Sequence, residues 1–290
     1  MFRVRFLTAL VGVPMMLLVI SWGAQALRGL PFVAAVAFLV VVGLKELYGN
    51  MWRKQIRPVC ELGYAASVAL LLVVWYVRPS WQGQAIGFIL AATVAGALVA
   101  HLGVKGETSP AQNVGGTVLG VIWVGLLFTY FLRLRQLDLA HVYPWLRGDD
   151  AWSFFRRHCG PLIVTFAAAW LSDTMAFAVG KTLGKHKLCP YLSPGKTIEG
   201  TIGGFLGATI FGALAAALMA IPVVHGAALG AIIGVIGQLG GLSQSAIKRD
   251  FQIKDFGTLF PGHGGVMDRF DGILFAMPAA FLYFKLFILM

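Results

Sequence analysis

The chain has 290 residues, of which 58% are hydrophobic and 12% charged, and its mean hydropathy is +0.80. A soluble domain is about 45–50% apolar and about 25% charged, so disorder, a collagen-like or disulfide scaffold and a lone soluble enzyme domain are excluded, and an integral membrane protein remains. The net charge is +11, but the basic residues fall mostly in loops between apolar runs, which suits lipid head groups, topology control or a phosphorylated substrate and not nucleic acid.

A spanning helix needs about 20 mostly apolar residues. Nine segments qualify: 6–27, 29–44, 62–77, 84–104, 111–132, 161–180, 200–221, 223–244 and 272–290. The predicted fold is therefore all-α and polytopic. Arg3 and Arg5 precede the first segment as in a signal peptide, yet no small-residue cleavage site follows, so it reads as a retained helix. With the N-terminus inside, most basic residues lie on the inner side. The outer segment 133–160 is the exception, with Arg133, Arg135, Arg147, Arg156 and Arg157.

No linker or repeat divides the chain, but polarity does. Residues 1–160 read as anchoring helices, and residues 161–290 as a catalytic membrane region of the same integral unit. Cys60, Cys159 and Cys189 have no metal-site spacing and read as structural thiols. Gly226, Gly230, Gly234, Gly237 and Gly241 recur every three or four residues and share a helical face, as do Gly200, Gly203, Gly204 and Gly207. Such stripes let helices approach closely in lipid, and they permit a homodimer without requiring one.

Six of the twelve acidic residues lie between 173 and 271. Asp173 sits within an apolar run, where an ionisable group faces a cavity or a partner. The plainer reading is a structural pair with a lysine of a neighbouring helix. Ser193-Pro194-Gly195-Lys196-Thr197 reads as a tight turn rich in donors for phosphate oxygens, ahead of Glu199 and a glycine-rich helix. An ordinary basic turn is the alternative.

The segment 243–272 is the most informative. It combines Lys248, Arg249, Lys254 and Arg269 with Asp250, Asp255, Asp268 and Asp271, around the turn Pro261-Gly262-His263-Gly264-Gly265. Asp268 and Asp271 share a face if one helix runs through both. Paired carboxylates beside clustered cations suit Mg²⁺ and a polyphosphate. The competing reading is a charged loop with surface ion pairs.

The pattern Ser245, Lys248-Arg249, Lys254-Asp255, Pro261 to Gly265, Asp268-Arg269 and Asp271 resembles the C-terminal signature of phosphatidate cytidylyltransferases, also called CDP-diacylglycerol synthases. The SPGKT-x-EG stretch and Asp173-Thr174 resemble further features of that family. The resemblance implies transfer of a cytidylyl group from CTP to phosphatidate, giving CDP-diacylglycerol and pyrophosphate. It implies a site facing the cytoplasm in the inner (plasma) membrane, with Mg²⁺ and the option of a second cation. Asp268, Asp271 and Asp173 are then metal ligands. Lys248, His263 and Arg269 act with Asp268 in catalysis. Ser193, Lys196, Thr197, Arg249, Lys254, Gly264 and Gly265 bind substrate, and Glu199 holds Lys196.

One departure stands out. The family usually has a Gly-Asp pair before the Ser-xx-Lys-Arg element, whose aspartate shares the metal; here the pair is Gly240-Gly241. The resemblance therefore leaves two outcomes, an active enzyme with fewer metal carboxylates or an impaired relative. A membrane transporter, another CTP-using lipid enzyme such as a polyprenol kinase or an archaeal-type lipid cytidylyltransferase, and a non-catalytic membrane scaffold are the remaining alternatives.

Overall fold

A computed structural model describes residues 29–102, 109–260, 262 and 264–290. Eight helices coincide with eight of the nine expected segments: α1 Leu30–Arg53, α2 Cys60–Tyr76, α3 Pro79–Ala100, α4 Pro110–Arg135, α5 Ala151–Thr182, α6 Ile198–Leu218, α7 Val223–Asp250 and α9 Asp271–Phe287, the last preceded by the single turn α8 Val266–Arg269. The expected span 6–27 lies outside the described residues. Six of the helices (α1, α3, α4, α5, α6 and α7) are long and apolar enough to cross a membrane. α2 and α9 have 17 residues each and fall short of that length, so nine crossings are not reached among the described residues. The chain is a multi-pass membrane protein.

Two helices begin or end far from where hydropathy placed them. α1 continues past residue 44 because Leu47, Tyr48 and Met51 extend its buried stripe while Lys45 and Arg53 stay exposed. α5 begins near Ala151, within the segment expected to be an outer loop. Asp150 caps it, accepting the backbone N–H groups of Trp152 and Ser153 at 2.9 Å. Pro161 falls inside α5, and the hydroxyl of Thr165 donates to the Pro161 carbonyl at 2.7 Å.

The described residues form two compact units. One consists of α1 to α3, α4 up to Leu132, and Asp250–Phe270. Tyr48 is at its centre: its hydroxyl donates to the Thr117 carbonyl at 3.0 Å, and Gly63 and Gly120 lie against its ring. Most of α3 is exposed, with only Thr93 and Ala97 buried, as expected of a lipid-facing helix.

The other unit consists of Arg133–Arg249 and Asp271–Met290. Here α5, α6 and α7 pack through the glycine stripes. A Cβ at Gly203 would lie 2.6 Å from Val179, and one at Gly207 2.6 Å from Met175. Gly226 and Gly230 press on the backbone of Gly212 and Ala208. Gln238 clips α7 to α6, donating to the Thr201 carbonyl at 3.0 Å. The stripe on α7 then changes partner: Gly237 faces the Gly272 carbonyl of α9, and Gly241 faces Lys196.

The segment expected to be a tight turn is instead a strand. β1 (Lys187–Cys189) pairs antiparallel with β2 (Ser193–Thr197), in the register Lys187 to Thr197 and Cys189 to Ser193, and Pro190–Leu192 make the turn. The N–H of Ile198 continues the pairing to the His186 carbonyl at 2.9 Å. Pro194 and Gly195 disguise this strand in the sequence, since both residue types are depleted from strands.

Candidate active site

In the first unit, the C-terminal motif folds back on itself around Asp268. This side chain is only 7% exposed. Its Oδ2 accepts the N–H of Phe256 at 2.7 Å and that of Gly265, the residue opening α8, at 3.0 Å. Gly264 adopts φ +82°, and its carbonyl accepts the N–H of Phe260 at 2.8 Å. Glycine is needed at 264 twice over, for the left-handed backbone and because a Cβ would lie 2.7 Å from Asp268 Oδ2. Lys254 and Arg269 are exposed. His263 lies outside the described residues.

Sequence reasoning missed Glu46. Its Oε1 and Oε2 accept the N–H groups of Val266 and Met267, each at 3.0 Å. Asn50, one turn later, donates to the Phe256 carbonyl at 2.8 Å. An open cavity of about 370 Å³ beside them is lined by Lys45, Glu46, Asn50, Arg53 and Phe256–Leu259. The only local signal was a Lys-Glu pair at the end of an apolar run, which reads as an ordinary helix end.

Asp271 is not on one helix with Asp268. Phe270, with φ −111° and ψ 12°, separates α8 from α9, and Asp271 is the first residue of α9. The shared face expected of a continuous helix is therefore absent. Asp271 Oδ1 accepts the N–H of Gly272 at 2.7 Å.

In the second unit, Lys196 is the focus. Strand β2 carries it to α7, where a Cβ at Gly241 would lie 3.0 Å from Nζ and 3.6 Å from Asp271 Oδ2. Burial pulls the Lys196 ammonium below the usual lysine range. The charges of Asp271 and Asp173 oppose that shift, and Lys248 adds to it. Asp173 thus shares the electrostatic field of Lys196, which the hairpin supplies. Ser245 donates to the Gly241 carbonyl at 2.7 Å, and the Arg249 side chain donates to the Leu192 carbonyl at 3.1 Å, tying α7 to the hairpin.

Two neighbours have partners of their own. Thr197 caps α6, its hydroxyl accepting the Gly200 N–H at 3.1 Å. Glu199 does not hold Lys196: it accepts the N–H groups of Lys185 and His186 and pairs with His186 Nδ1 at 2.7 Å. An apolar groove of about 350 Å³ runs between α6 and α7, with Leu188 of β1 in its wall.

Among the described residues no three His, Cys, Asp or Glu side chains converge as a metal cage. Each unit instead offers carboxylates singly or in pairs. That donor set fits a hard cation that keeps water and takes ligands from substrate phosphates, as Mg²⁺ does.

The sequence profile of the cytidylyltransferase family matches residues 3–287. The chain belongs to this family. It is 32% identical to a phosphatidate cytidylyltransferase of Synechocystis over 96% of this chain and 95% of that protein. It is 38% identical to one of Bacillus subtilis, over 62% and 61% of the two chains. It is 30% identical to one of Staphylococcus aureus, over 95% and 96%. In this chain the space a side chain at Gly241 would take, beside Asp271, is bordered by the Lys196 ammonium.

Proposed function

We propose that this membrane protein is an enzyme that transfers the cytidylyl group of CTP to phosphatidate, releasing pyrophosphate and forming CDP-diacylglycerol. The observation that carries this reading is the half-buried Lys196, set by β2 against α7 in the field of Asp271, Asp173 and Lys248. This cation suits phosphate oxygens, in a chain matched along its length by proteins named for this reaction.

A phosphate oxygen of the lipid attacks the α-phosphorus of CTP. The new P–O bond forms as the bond to the β-phosphate breaks, and pyrophosphate leaves with the electron pair. The nucleophile is already an anion, so the protein's task is alignment and charge neutralisation rather than proton removal. Lys196, Lys248, Arg249, Lys254 and Arg269 bind phosphates, with Ser193 and the backbone of Gly264 and Gly265 as further donors. His263 donates to phosphate or to the departing pyrophosphate. Thr197 keeps the start of α6 in place. Asp268 in the first unit, and Asp271 and Asp173 in the second, are the carboxylates that would offer oxygens to Mg²⁺, which would supply further positive charge to the triphosphate.

The site faces the cytoplasmic side of the plasma membrane, where CTP is found. The groove between α6 and α7 suits an acyl chain, because its wall is apolar and reaches the hairpin that carries Lys196.

The test is CTP-dependent formation of CDP-diacylglycerol by the purified protein in phosphatidate mixed micelles, with and without Mg²⁺. Metal-dependent product with stoichiometric pyrophosphate is expected. Folded protein that makes neither product would overturn the reading, and a phosphorylated lipid with CDP would replace it with a kinase.

A further inference from the structure

We propose that Glu46 is a positioning residue for Asp268, an inference that rests on the role given to Asp268 above. The two residues are far apart in sequence, on α1 and α8, yet one hydrogen-bonded circuit joins them. The Glu46 carboxylate takes the N–H groups of Val266 and Met267, one on each oxygen. The same turn presents Asp268, whose Oδ2 returns to the N–H of Gly265 and reaches across to that of Phe256. Asn50 closes the circuit by donating to the Phe256 carbonyl and to the carbonyl of Glu46 itself, the latter at 2.7 Å. The peptide groups flanking Phe256 are thus gripped from two sides, and the Asp268 carboxylate has little freedom to turn.

Packing singles out the carboxylate of Glu46. Gly257 and Gly265 both lie against it, and a Cβ at either would overlap its oxygens. Trp123 stacks edge-on to Phe256 behind the loop, with ring centroids 6.1 Å apart. One neutral amide or hydroxyl oxygen could not take both N–H groups, whereas each oxygen of the Glu46 carboxylate accepts one. That grip sets the turn from which Asp268 projects, and Glu46 thereby fixes the orientation of the carboxylate assigned to the metal.

The test is Glu46→Gln in the full chain. One amide oxygen cannot serve both N–H groups, and the amide nitrogen would face a donor. We expect kcat to fall about tenfold to a hundredfold, the KM for CTP to change less than about threefold, and the thermal midpoint to hold within a few degrees. Gly257→Ala should cause a similar loss by pushing the same carboxylate from the other side, and the double variant should lose far less than the product of the two. Hydrogen exchange gives a readout without turnover: Glu46→Gln should speed exchange at Val266 and Met267 and, through Asp268, at Phe256. An unchanged kcat, unchanged exchange at Phe256, or an activity loss explained wholly by unfolding would each overturn the proposal. A wild-type protein with no CTP-dependent product would instead sink the functional reading, and the exchange of Phe256 would still decide whether Glu46 positions Asp268.

Discussion

The ammonium of Lys196 lies over Gly241, so close that a Cβ at 241 would be 3.0 Å from Nζ. The bare glycine face leaves room for the cation, and Asp271 lies just beyond it. The bare backbone at 241 and the position of the lysine are thus two parts of one arrangement.

Adding a carboxylate at 241 should change that arrangement in a measurable way. Gly241→Asp places a negative charge beside Lys196 and Asp271, and the flexible end of the lysine can move to admit it. We expect higher activity and a lower Mg²⁺ concentration at half-maximal rate, by about tenfold for one added ligand. A Mg²⁺ titration of the variant that shows no gain would overturn the expectation that a carboxylate at this position contributes to metal binding.

Lys196 should impose an alkaline limit on turnover. Burial lowers its pKa, the opposing charges of Asp271 and Asp173 limit the drop, and Lys248 deepens it. The protonated form binds phosphate, so kcat/KM for CTP should fall as pH rises, beginning below the range of an ordinary lysine. Lys196→Arg, which stays charged, should lose this limb. Lys196→Met should lose about 10²–10³ in rate, the usual effect of removing one charge-stabilising donor.

Asp268 should separate charge from hydrogen bonding. Asp268→Ala leaves the buried N–H groups of Phe256 and Gly265 without their acceptor, at about 1–3 kcal/mol each. Asp268→Asn keeps one oxygen for them and should unfold at a temperature closer to wild type, yet lose most activity. Thermal unfolding in detergent measured alongside product formation distinguishes the two effects.

The glycines should divide by position. Gly230 presses on the Ala208 carbonyl, so Gly230→Ala should destabilise the protein by several kcal/mol. Gly83 and Gly87 on α3 have open space around them, and alanine there should be neutral or stabilise by about 0.5–1 kcal/mol. Unfolding midpoints of the three variants provide the comparison.

The all-α membrane architecture was legible in the amino-acid sequence because hydropathy and helical periodicity are local properties, written into each run of about 20 residues. So was the acidic and basic motif of residues 243–272, whose spacing survives without any structure. The α7 stripe was legible as a packing face, but not its change of partner at Gly237 and Gly241, because one periodicity serves every neighbour equally.

Tertiary structure alone decided three matters. Pro194 and Gly195 hid a strand that exists because Lys187 pairs across to Thr197. Phe270 broke the helix that would have aligned Asp268 with Asp271. Glu46 reached Val266 and Met267 only because α1 packs beside the C-terminal motif. In each case the deciding partner lies outside the segment's own local pattern, and a hydrogen bond closed over 220 residues leaves no period in the chain to read.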